Sequence, residues 1–323
     1  MQAVTVDGER LSWGTVARPE LGAGEVRIRV RATAANRADL AQRAGAYPPP
    51  PGASPILGLE CAGEVTEVGD GVQRFRVGDA VCALLAGGGY AEEVVVAAGQ
   101  ALPIPRGLSL VEAAALPEVF ATAYLNLYME AELRRGDRML IHAGASGVGT
   151  AAIQLGVVFD NPSFVTVGSQ AKLDACLALG ADAGHLRTNG DFVDAVTSWH
   201  GGGGIDVVLD PVGANYLASN LKVLGLDGRL VVIGLMGGVT AELNLGALMM
   251  KRLRVIGSTL RARPIPAKAA VMDALYDEVW PHIEAGRIRP IVDRVAPIAE
   301  VEAVHRAMAE DENVGKLVME LPA

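Results

Sequence analysis

Residues 139–149 read MLIHAGASGVG, and this stretch decides the fold. Its first part, Met139 to Ala143, is a short apolar run typical of a β-strand. A glycine-rich turn follows, and a helix is expected over residues 147–158. This order lets backbone N–H groups at a helix N-terminus face a pyrophosphate. Ser146 occupies the position of the middle glycine in the usual G-x-G-x-x-G fingerprint. The order of strand, turn and helix nevertheless indicates a dinucleotide-binding βαβ unit.

Further apolar strands follow this turn. Strands are expected at residues 164–167, 206–209, 229–233 and 254–256, and a helix is expected over residues 172–179. Strands that are apolar throughout and separated by helices predict a parallel sheet covered on both faces.

The sequence before residue 120 has a different pattern. Residues 26–31 alternate apolar and basic side chains, the period of a half-buried strand, and residues 63–69 and 80–85 continue this pattern between glycines and prolines. Residues 316–320 supply a last strand. The expected fold class is α/β, with a β-barrel-type domain (residues 1–119 and 263–323) interrupted by a doubly wound parallel sheet (residues 120–262).

Composition excludes several classes of function. The formal net charge is -9 over 323 residues, without basic blocks, which argues against a nucleic-acid partner or an anionic membrane surface. No run reaches the ~18 apolar residues of a membrane span. The N-terminus has no signal-peptide pattern, so a cytoplasmic protein is expected. Cys61, Cys82 and Cys176 are too scattered for a disulfide framework and are expected to be buried apolar residues.

The residues beyond the turn predict which nicotinamide cofactor binds. NAD enzymes carry Asp or Glu about 20 residues past the turn, where it binds the ribose hydroxyls. Here that position is Ser169, and Lys172 follows three residues later. Arg187, after the next predicted strand, offers a second cation or is simply a surface residue. A hydroxyl and a lysine without a carboxylate favour NADPH.

With these residues in view, the whole chain resembles the zeta-crystallin-like quinone oxidoreductases of the medium-chain dehydrogenase/reductase superfamily. It is most similar to the branch of the tumour-suppressor-induced quinone oxidoreductase. The resemblance implies a GroES-like catalytic domain and a Rossmann domain. The motifs that carry it are NRADL at 36–40, YPPPPG at 47–52, GLE at 58–60, IHAG at 141–144, SGVGT at 146–150, GSQ at 168–170, GLMGG at 234–238 and GKLV at 315–318.

The resemblance also implies roles for single residues. Tyr47 and Ser146 match positions that support catalysis beside the nicotinamide. Cofactor-binding residues are Asn36, Thr122, Ser146, Gly147, Val148, Ser169, Lys172, Arg187, Met236, Gly237, Gly315 and Lys316. At position 187 this branch more often has a tyrosine on the adenosine side, so Arg187 is a departure. The end of the first nucleotide-domain helix lacks its usual glycine, and Asn161 is expected to take the left-handed cap conformation instead.

No zinc is expected. By the resemblance, Asn36 stands where zinc enzymes of the superfamily have a cysteine ligand, and Leu59 stands where they have a histidine. Glu60 alone cannot hold Zn²⁺. The histidines at 142, 185, 200, 282 and 305 show no pairing and are read as structural or surface residues.

The sequence therefore predicts hydride transfer from NADPH to a quinone or similar conjugated carbonyl, with Tyr47 as a hydrogen-bond donor or only a wall residue. An NADPH-dependent reductase of enones or other activated double bonds is the alternative. An NADPH-binding module that interacts with RNA is a third reading, which the acidic composition disfavours. The resemblance also implies a homodimer, in which residues 255–258 would pair across a two-fold axis.

Overall fold

Two units divide the chain. Unit 1 comprises residues 1–121 and 260–323, and unit 2 comprises residues 122–259. The boundaries expected from the sequence were 119/120 and 262/263. The structure is a computed structural model and describes residues 1–8 and 10–322.

The strands and helices are numbered in chain order. The strands are β1 (Gln2–Asp7), β2 (Arg10–Thr15), β3 (Glu25–Ala34), β4 (Glu60–Val68), β5 (Ala80–Leu84), β6 (Glu93–Ala97), β7 (Ala101–Pro103), β8 (Met139–His142), β9 (Ser163–Val167), β10 (Ala183–Leu186), β11 (Ile205–Asp210), β12 (Leu224–Val232), β13 (Arg254–Gly257), β14 (Val292–Pro297) and β15 (Lys316–Glu320). The α-helices are α1 (Arg37–Arg43), α2 (Leu110–Ala113), α3 (Pro117–Tyr124), α4 (Gly147–Phe159), α5 (Gln170–Ala178), α6 (Val193–His200), α7 (Leu217–Val223), α8 (Leu245–Met250), α9 (Ile265–Glu278), α10 (Trp280–Glu284) and α11 (Val301–Ala309).

Unit 1 is built on a largely antiparallel sheet with strand order β14-β15-β3-β4-β5-β7, to which β6 adds by pairing with β3. The β1–β2 hairpin forms a separate sheet. Strands β15, β3 and β4 are neighbours and antiparallel, so the start of β15, the end of β3 and the start of β4 lie at one end of the sheet. Alternating burial along β3 and β6 directs one face of the sheet into an apolar core that includes Ile28 and Tyr90.

Unit 2 is a parallel sheet of strand order β10-β9-β8-β11-β12-β13. Counted within the unit, this order is 3-2-1-4-5-6, which is the Rossmann arrangement. All strands are parallel, and the second and third strands lie on one side of the first strand while the later ones lie on the other, so the strand order reverses between the first and fourth strands. The central strands β8, β9 and β11 are almost entirely buried, as apolar strands covered on both faces must be. The expected α/β fold class, with a GroES-like domain and a Rossmann domain, is confirmed.

Two local expectations need correction. Helix α5 begins at Gln170, with Ser169 as its N-cap, rather than at Lys172. At the end of α4 the left-handed residue is Asp160, with φ 59° and ψ 47°, and not Asn161. The Asn161 amide instead donates to the carbonyls of Arg134 and Asp137 at 2.6 and 3.1 Å. These long-range bonds fix Asn161 in place and leave the left-handed turn to its neighbour.

The three cysteines are free and buried, as expected. Burial raises the pKa of each thiol, which keeps all three protonated and unreactive. Over residues 1–8 and 10–322, no helix is both long and apolar enough to cross a membrane.

Candidate functional site

The turn between β8 and α4 is held in a strained, closely packed conformation. Ala143 adopts a left-handed backbone with φ 53°, and the Ser146 hydroxyl caps α4 by accepting the Gly149 amide at 3.1 Å. A Cβ at Gly149 would lie 2.4 Å from the carbonyl oxygen of Gly144, so no larger residue fits. Glycine at 149 thus allows the helix to start directly against the strand.

This geometry leaves two backbone donors free. Gly147 and Val148 are the first two residues of α4, where a helix provides no internal acceptor for the amide. Among the described residues no acceptor meets either N–H group. Both point out of a helix N-terminus, which carries partial positive charge. These two residues therefore fit a pyrophosphate group.

Three residues that are predicted to bind the cofactor lie after the neighbouring strands β9 and β10: Ser169, Lys172 and Arg187. Ser169 caps α5 by accepting the Lys172 amide at 3.4 Å, which puts Lys172 in the first turn of that helix. The Arg187 guanidinium lies against the backbone of Gly168, because a Cβ built there would sit 3.0 Å from Nη2. Strand pairing explains the proximity, since Leu186 is the register partner of Val167. The Arg187 guanidinium therefore lies beside the residue that precedes Ser169, and Lys172 follows Ser169 in the first turn of α5.

The loop after β12, which holds Met236 and Gly237, is fixed to the loop after β11. The Gly237 amide donates to the Val212 carbonyl at 2.7 Å, and the Met236 amide donates to the Pro211 carbonyl at 3.3 Å. A Cβ at Gly237 would lie 2.8 Å from the Val212 side chain, so glycine allows this approach. The Met236 side chain is 52% exposed and available to a ligand.

A buried polar chain supports the β11 loop and was not expected from the sequence. His142 contacts Thr166 Oγ1 at 2.8 Å through Nδ1 and Asn220 Oδ1 at 2.7 Å through Nε2. Asn220 donates to Asp210 at 3.0 Å, and Asp210 accepts the Val212 and Gly213 amides. Because the Asn220 amide nitrogen faces Asp210, its oxygen must accept from His142, which assigns the neutral Nε2–H tautomer. Burial lowers the pKa of His142 to about 4, consistent with a neutral ring.

Thr122 lies in α3 and is buried. Its carbonyl accepts the side-chain amide of Asn126 at 2.7 Å. Asn126 lies in the π-helical stretch Leu125–Glu130 that continues α3, and its Oδ1 atom is buried without a protein partner among the described residues. A π-turn with an unpaired acceptor is typical of functional segments.

In unit 1, three predicted or flanking residues meet at one end of the sheet. The Lys316 ammonium contacts Glu60 Oε1 at 2.7 Å, Asn36 Oδ1 at 2.6 Å and the Ala35 carbonyl at 2.8 Å. The Asn36 amide donates to Glu60 Oε1 at 2.9 Å and to the Ala34 carbonyl at 3.2 Å. The side chains of Asn36 and Lys316 are thus occupied by each other and by Glu60. We therefore expect any contact of Gly315 and Lys316 with the cofactor to be made by their backbone atoms.

Gly315 sets the position of Lys316. Its φ is +79°, and a Cβ would lie 2.2 Å from the Ile291 carbonyl oxygen. That same carbonyl accepts the Lys316 amide at 2.8 Å, and Asn313 donates to the Gly315 carbonyl at 2.6 Å. Only glycine lets the chain pass this closely before entering β15.

Tyr47 is half-buried beside an arginine that the sequence did not single out. The Arg261 guanidinium lies 5.4 Å from the centre of the Tyr47 ring and donates to the Tyr47 carbonyl at 3.3 Å. It also donates to the Ala86 carbonyl at 2.8 Å and to Gln42 Oε1 at 2.6 Å. Burial raises the pKa of Tyr47, opposed by the Arg261 charge and aided by Glu118. The phenol is therefore a neutral hydrogen-bond donor beside a fixed cation.

A second carboxyl group, Asp39, braces the same sheet end. It accepts the Asn36 amide at 2.8 Å, the Gly58 amide at 2.9 Å and the Tyr90 hydroxyl at 3.2 Å. Burial raises the pKa of Asp39 to about 6, against the lowering effect of these amides and of Lys316. Asp39 fixes Asn36 as the N-cap of α1.

Comparison with known protein families and curated proteins supports the fold and places the chain. A family profile described as the alcohol dehydrogenase GroES-like domain matches residues 22–106, and one described as zinc-binding dehydrogenase matches residues 147–275. The rat (Rattus norvegicus) synaptic vesicle membrane protein VAT-1 homolog is 32% identical over 315 residues, covering 93% of this chain and 78% of that protein.

The chain belongs to the medium-chain dehydrogenase/reductase superfamily.

The chain is also similar to segments of much larger proteins. The spectinabilin polyketide synthase system protein NorB of Streptomyces orinoci is 36% identical over 98% of the chain, which spans only 14% of that protein.

Three solved structures share the superfamily fold along its whole length. An NAD-dependent alcohol dehydrogenase has a TM-score of 0.87 at 31% identity, with 100% of both chains covered. The CurK enoyl reductase has a TM-score of 0.86 at 27% identity, with 99% of both chains covered. Escherichia coli quinone oxidoreductase, complexed with NADPH, has a TM-score of 0.86 at 26% identity, covering 99% of this chain and 98% of that one.

The residues of this chain do not fit the zinc ion that one family description implies. The expected ligand positions hold Asn36 and Leu59, and the Leu59 side chain is buried apolar surface. Glu60 is already paired with the Lys316 ammonium, which would repel a divalent cation. No group of three or more His, Cys, Asp or Glu side chains suited to a metal occurs in the part of the chain that the structure describes.

The residues most easily missed from the sequence are Glu60, Asp39, Arg261 and His142. Each is buried and polar, and a charged residue inside an otherwise apolar segment was the available signal. Several of their partners are far away along the chain, such as Asn220 at 78 positions from His142 and Gln42 at 219 positions from Arg261, so spacing alone could not reveal them.

Proposed function

We propose that this oxidoreductase transfers hydride from NADPH to a quinone without a metal ion. The observation that carries the proposal is the Lys316–Glu60 ion pair with Asn36, at positions where zinc enzymes of the superfamily hold their metal. Without a Lewis acid, the substrates that react readily are those whose conjugation already stabilises the incoming charge. Quinones meet that requirement, and Escherichia coli quinone oxidoreductase is among the similar structures. We also propose that the chain belongs to the zeta-crystallin-like branch of the superfamily.

The choice of NADPH over NADH rests on Ser169, Lys172 and Arg187. The structure brings the Arg187 guanidinium to Gly168, and Lys172 stands in the first turn of α5. A 2′-phosphate needs cations and hydroxyl or amide donors, and a carboxylate at 169 would repel it. Ser169 provides the hydroxyl. The residues of this group fit NADPH better than NADH.

In the proposed reaction the bound cofactor supplies the hydride, and the protein binds, orients and donates a hydrogen bond. The Gly147 and Val148 amides bind the pyrophosphate, and Met236 and Gly237 line the nicotinamide side. Tyr47 donates its O–H to the acceptor oxygen as negative charge develops there, with the Arg261 cation beside the ring. Ser146 holds the turn through its cap and keeps its own proton free to donate.

A second candidate is the reduction of an activated carbon–carbon double bond in an enone or enoyl ester. The CurK enoyl reductase, 27% identical with a TM-score of 0.86, favours it, as do the polyketide synthase relatives. The same residues would act, with Tyr47 donating to the enolate oxygen instead of a quinone oxygen.

One experiment separates the two candidates. Initial rates of NADPH oxidation are measured with quinones, enones, enoyl thioesters and simple aldehydes, and each assay is repeated with NADH. We expect the highest kcat/KM for quinones with NADPH and negligible turnover of aldehydes. Higher kcat/KM on enones or enoyl thioesters would select the second candidate, and efficient aldehyde reduction would contradict both.

Zinc independence is tested separately. Prolonged dialysis against a strong chelator should leave activity unchanged, and elemental analysis of the purified protein should find far less than one zinc per chain. Stoichiometric zinc that is lost together with activity would overturn the metal-free proposal.

We also propose that the protein forms a homodimer through β13. This strand is at the edge of the unit 2 sheet and its Val255 side chain is 42% exposed. An exposed apolar edge strand is a template for pairing with a second copy. Sedimentation should give a dimer for the native protein and a monomer for Val255→Lys; a native monomer would contradict the proposal.

A further inference from the structure

The Lys316 ammonium is fully coordinated by oxygen. Its three N–H donors have three acceptors between 2.6 and 2.8 Å: the Glu60 carboxylate, the Asn36 amide oxygen and the Ala35 carbonyl. Lys316 is 3% exposed, Asn36 is 6% exposed and Glu60 is completely buried. An ammonium has three donors and no acceptor, so every bond this cation can make is made here.

Strand pairing brings Lys316 and its oxygen acceptors together from three separate parts of the unit 1 sequence. Lys316 is the first residue of β15, Glu60 is the first residue of β4, and Asn36 follows the end of β3. The registers Val318↔Ala34 and Thr33↔Cys61 bring these three strand ends together. The Glu118 amide donates to the second oxygen of Glu60 at 2.9 Å, so both carboxylate oxygens are occupied.

We propose that Lys316 is a built-in cation, held by an oxygen cage of Glu60, Asn36 and Ala35, that takes the place of the exchangeable metal ion of zinc enzymes in the superfamily. This inference rests on the proposed metal-free function and adds the group that replaces the metal. The covalent tether holds one positive charge at the site. It offers no open coordination position for a substrate oxygen.

The cation has a positioning role rather than a catalytic one. Because Asn36 Oδ1 faces Lys316, the Asn36 NH₂ group is turned toward Glu60 and the Ala34 carbonyl. Without the ammonium, a buried carboxylate would lose its only ionic partner among the described residues, and the amide could rotate. Lys316 therefore fixes both Glu60 and Asn36.

The first test observes the ammonium directly in the unmodified protein. In ¹H–¹⁵N spectra of lysine NH₃⁺ groups, Lys316 should give a slowly exchanging charged signal that disappears only in Lys316→Arg. Lys251 is the matched control, because its ammonium donates to three carbonyls at 2.7–3.1 Å in unit 2 but has no carboxylate. A rapidly exchanging or neutral Lys316 amine would overturn the proposal.

The second test removes the cation and supplies another. Lys316→Ala leaves space in the cage, and we expect kcat/KM to fall by about a hundredfold, as displaced positioning groups typically cause. Propylammonium should restore thermal stability and most of the turnover, whereas tetramethylammonium at equal ionic strength and Zn²⁺ should restore neither. Lys316→Met fills the same space with an uncharged side chain. No added cation should therefore restore the stability and turnover that this variant loses.

These results separate this inference from the proposed function. The spectra and the cation-dependent melting need no substrate, so they hold even if the protein reduces enones rather than quinones. Rescue by Zn²⁺, or a Lys316→Met variant with native stability and turnover, would overturn the built-in cation. If Lys316→Ala does not fold, refolding with and without propylammonium gives the same comparison.

Discussion

At the scale of single residues, the proposed preference for NADPH rests on Lys172 and Arg187. Arg187 stands where similar quinone oxidoreductases more often have a tyrosine, and its guanidinium lies against Gly168. A cation here adds charge to the phosphate side of the site while its planar group still offers a stacking surface. If the proposed function holds, this departure should favour NADPH further.

Replacement of Lys172 tests that preference. Lys172→Ala should weaken NADPH binding by roughly ten- to a hundredfold, the equivalent of a charge-assisted contact worth about 1.5–3 kcal/mol. NADH affinity should barely change, because NADH has no 2′-phosphate. Calorimetric titration of both cofactors measures the difference, and Lys222→Ala, on the exposed end of α7, is the control. Equal effects on both cofactors would show that Lys172 acts on the fold.

Tyr47 is the residue whose role depends most on the acceptor. If its hydroxyl stabilises the developing oxyanion, Tyr47→Phe should lower kcat by roughly ten- to a thousandfold with unchanged NADPH affinity. Quinones accept hydride readily, so their loss should be at the low end, and enones should lose more. Steady-state rates on one quinone and one enone provide the comparison. Equal penalties, or none, would make Tyr47 a wall residue beside Arg261.

At the scale of elements, the start of α4 combines a structural cap with the proposed pyrophosphate site. Ser146 accepts the Gly149 amide, which leaves the Gly147 and Val148 amides as the free donors. The hydroxyl at 146 thus positions the turn even before any catalytic role is considered. A role of Ser146 as a helix cap and a role in catalysis predict different results for the same substitution.

Ser146→Ala separates them. Loss of the cap should cost about 1 kcal/mol of unfolding free energy and weaken NADPH binding, with kcat at saturating cofactor little changed. Ser109→Ala removes the cap of α2 in unit 1 and should lower stability without affecting NADPH binding. Urea denaturation and cofactor titration measure both. A large fall in kcat with native stability would instead assign Ser146 to catalysis.

At the scale of the whole molecule, two buried histidines control acid stability. Burial lowers the pKa of His142 to about 4 in unit 2; in unit 1, burial and the Arg43 charge lower the pKa of His305 to about 4. Unfolded histidine titrates near about 6.5, so below that pH the unfolded chain binds protons that the folded chain does not. Asp39 opposes this, because its raised pKa of about 6 favours the fold as pH falls. Asp210 acts in the same direction as Asp39, because burial also raises its pKa, whereas the lowered pKa values of Glu93, Glu112 and Glu302 add to the effect of the histidines.

Stability should therefore decline as pH falls from about 6.5 toward 4. His142→Gln keeps a hydrogen-bonding side chain but cannot titrate, so its stability should depend less steeply on pH in this range, although it is lower at pH 7. Urea denaturation at several pH values gives the slopes. A His142→Gln slope equal to the native one would mean that His142 binds protons equally in the folded and unfolded states, which would contradict its lowered pKa.

Much of each unit could be predicted because its signals are local. An apolar strand, a tight glycine turn and a helix in residues 139–159 leave little choice but a βαβ unit, and the structure has β8, α4 and the parallel neighbour β9 there. Gly149 and Gly315 were singled out from motifs, and the structure gives their reason as carbonyl oxygens at 2.4 and 2.2 Å from a would-be Cβ. Such requirements are visible in sequence because only one residue type meets them.

The sequence by itself determined the α/β class, the dinucleotide turn, the absence of an acid at 169 and the lack of soft metal ligands at 36 and 59. Only the tertiary structure decided that Lys316 pairs with Glu60, that Arg261 lies on Tyr47, and that His142 supports the β11 loop through Asn220. Periodicity and turn chemistry act over a few neighbouring residues, and so they can be read along the chain. The partner of a buried charge is set by which strand ends the sheet brings together, and that requires the complete fold.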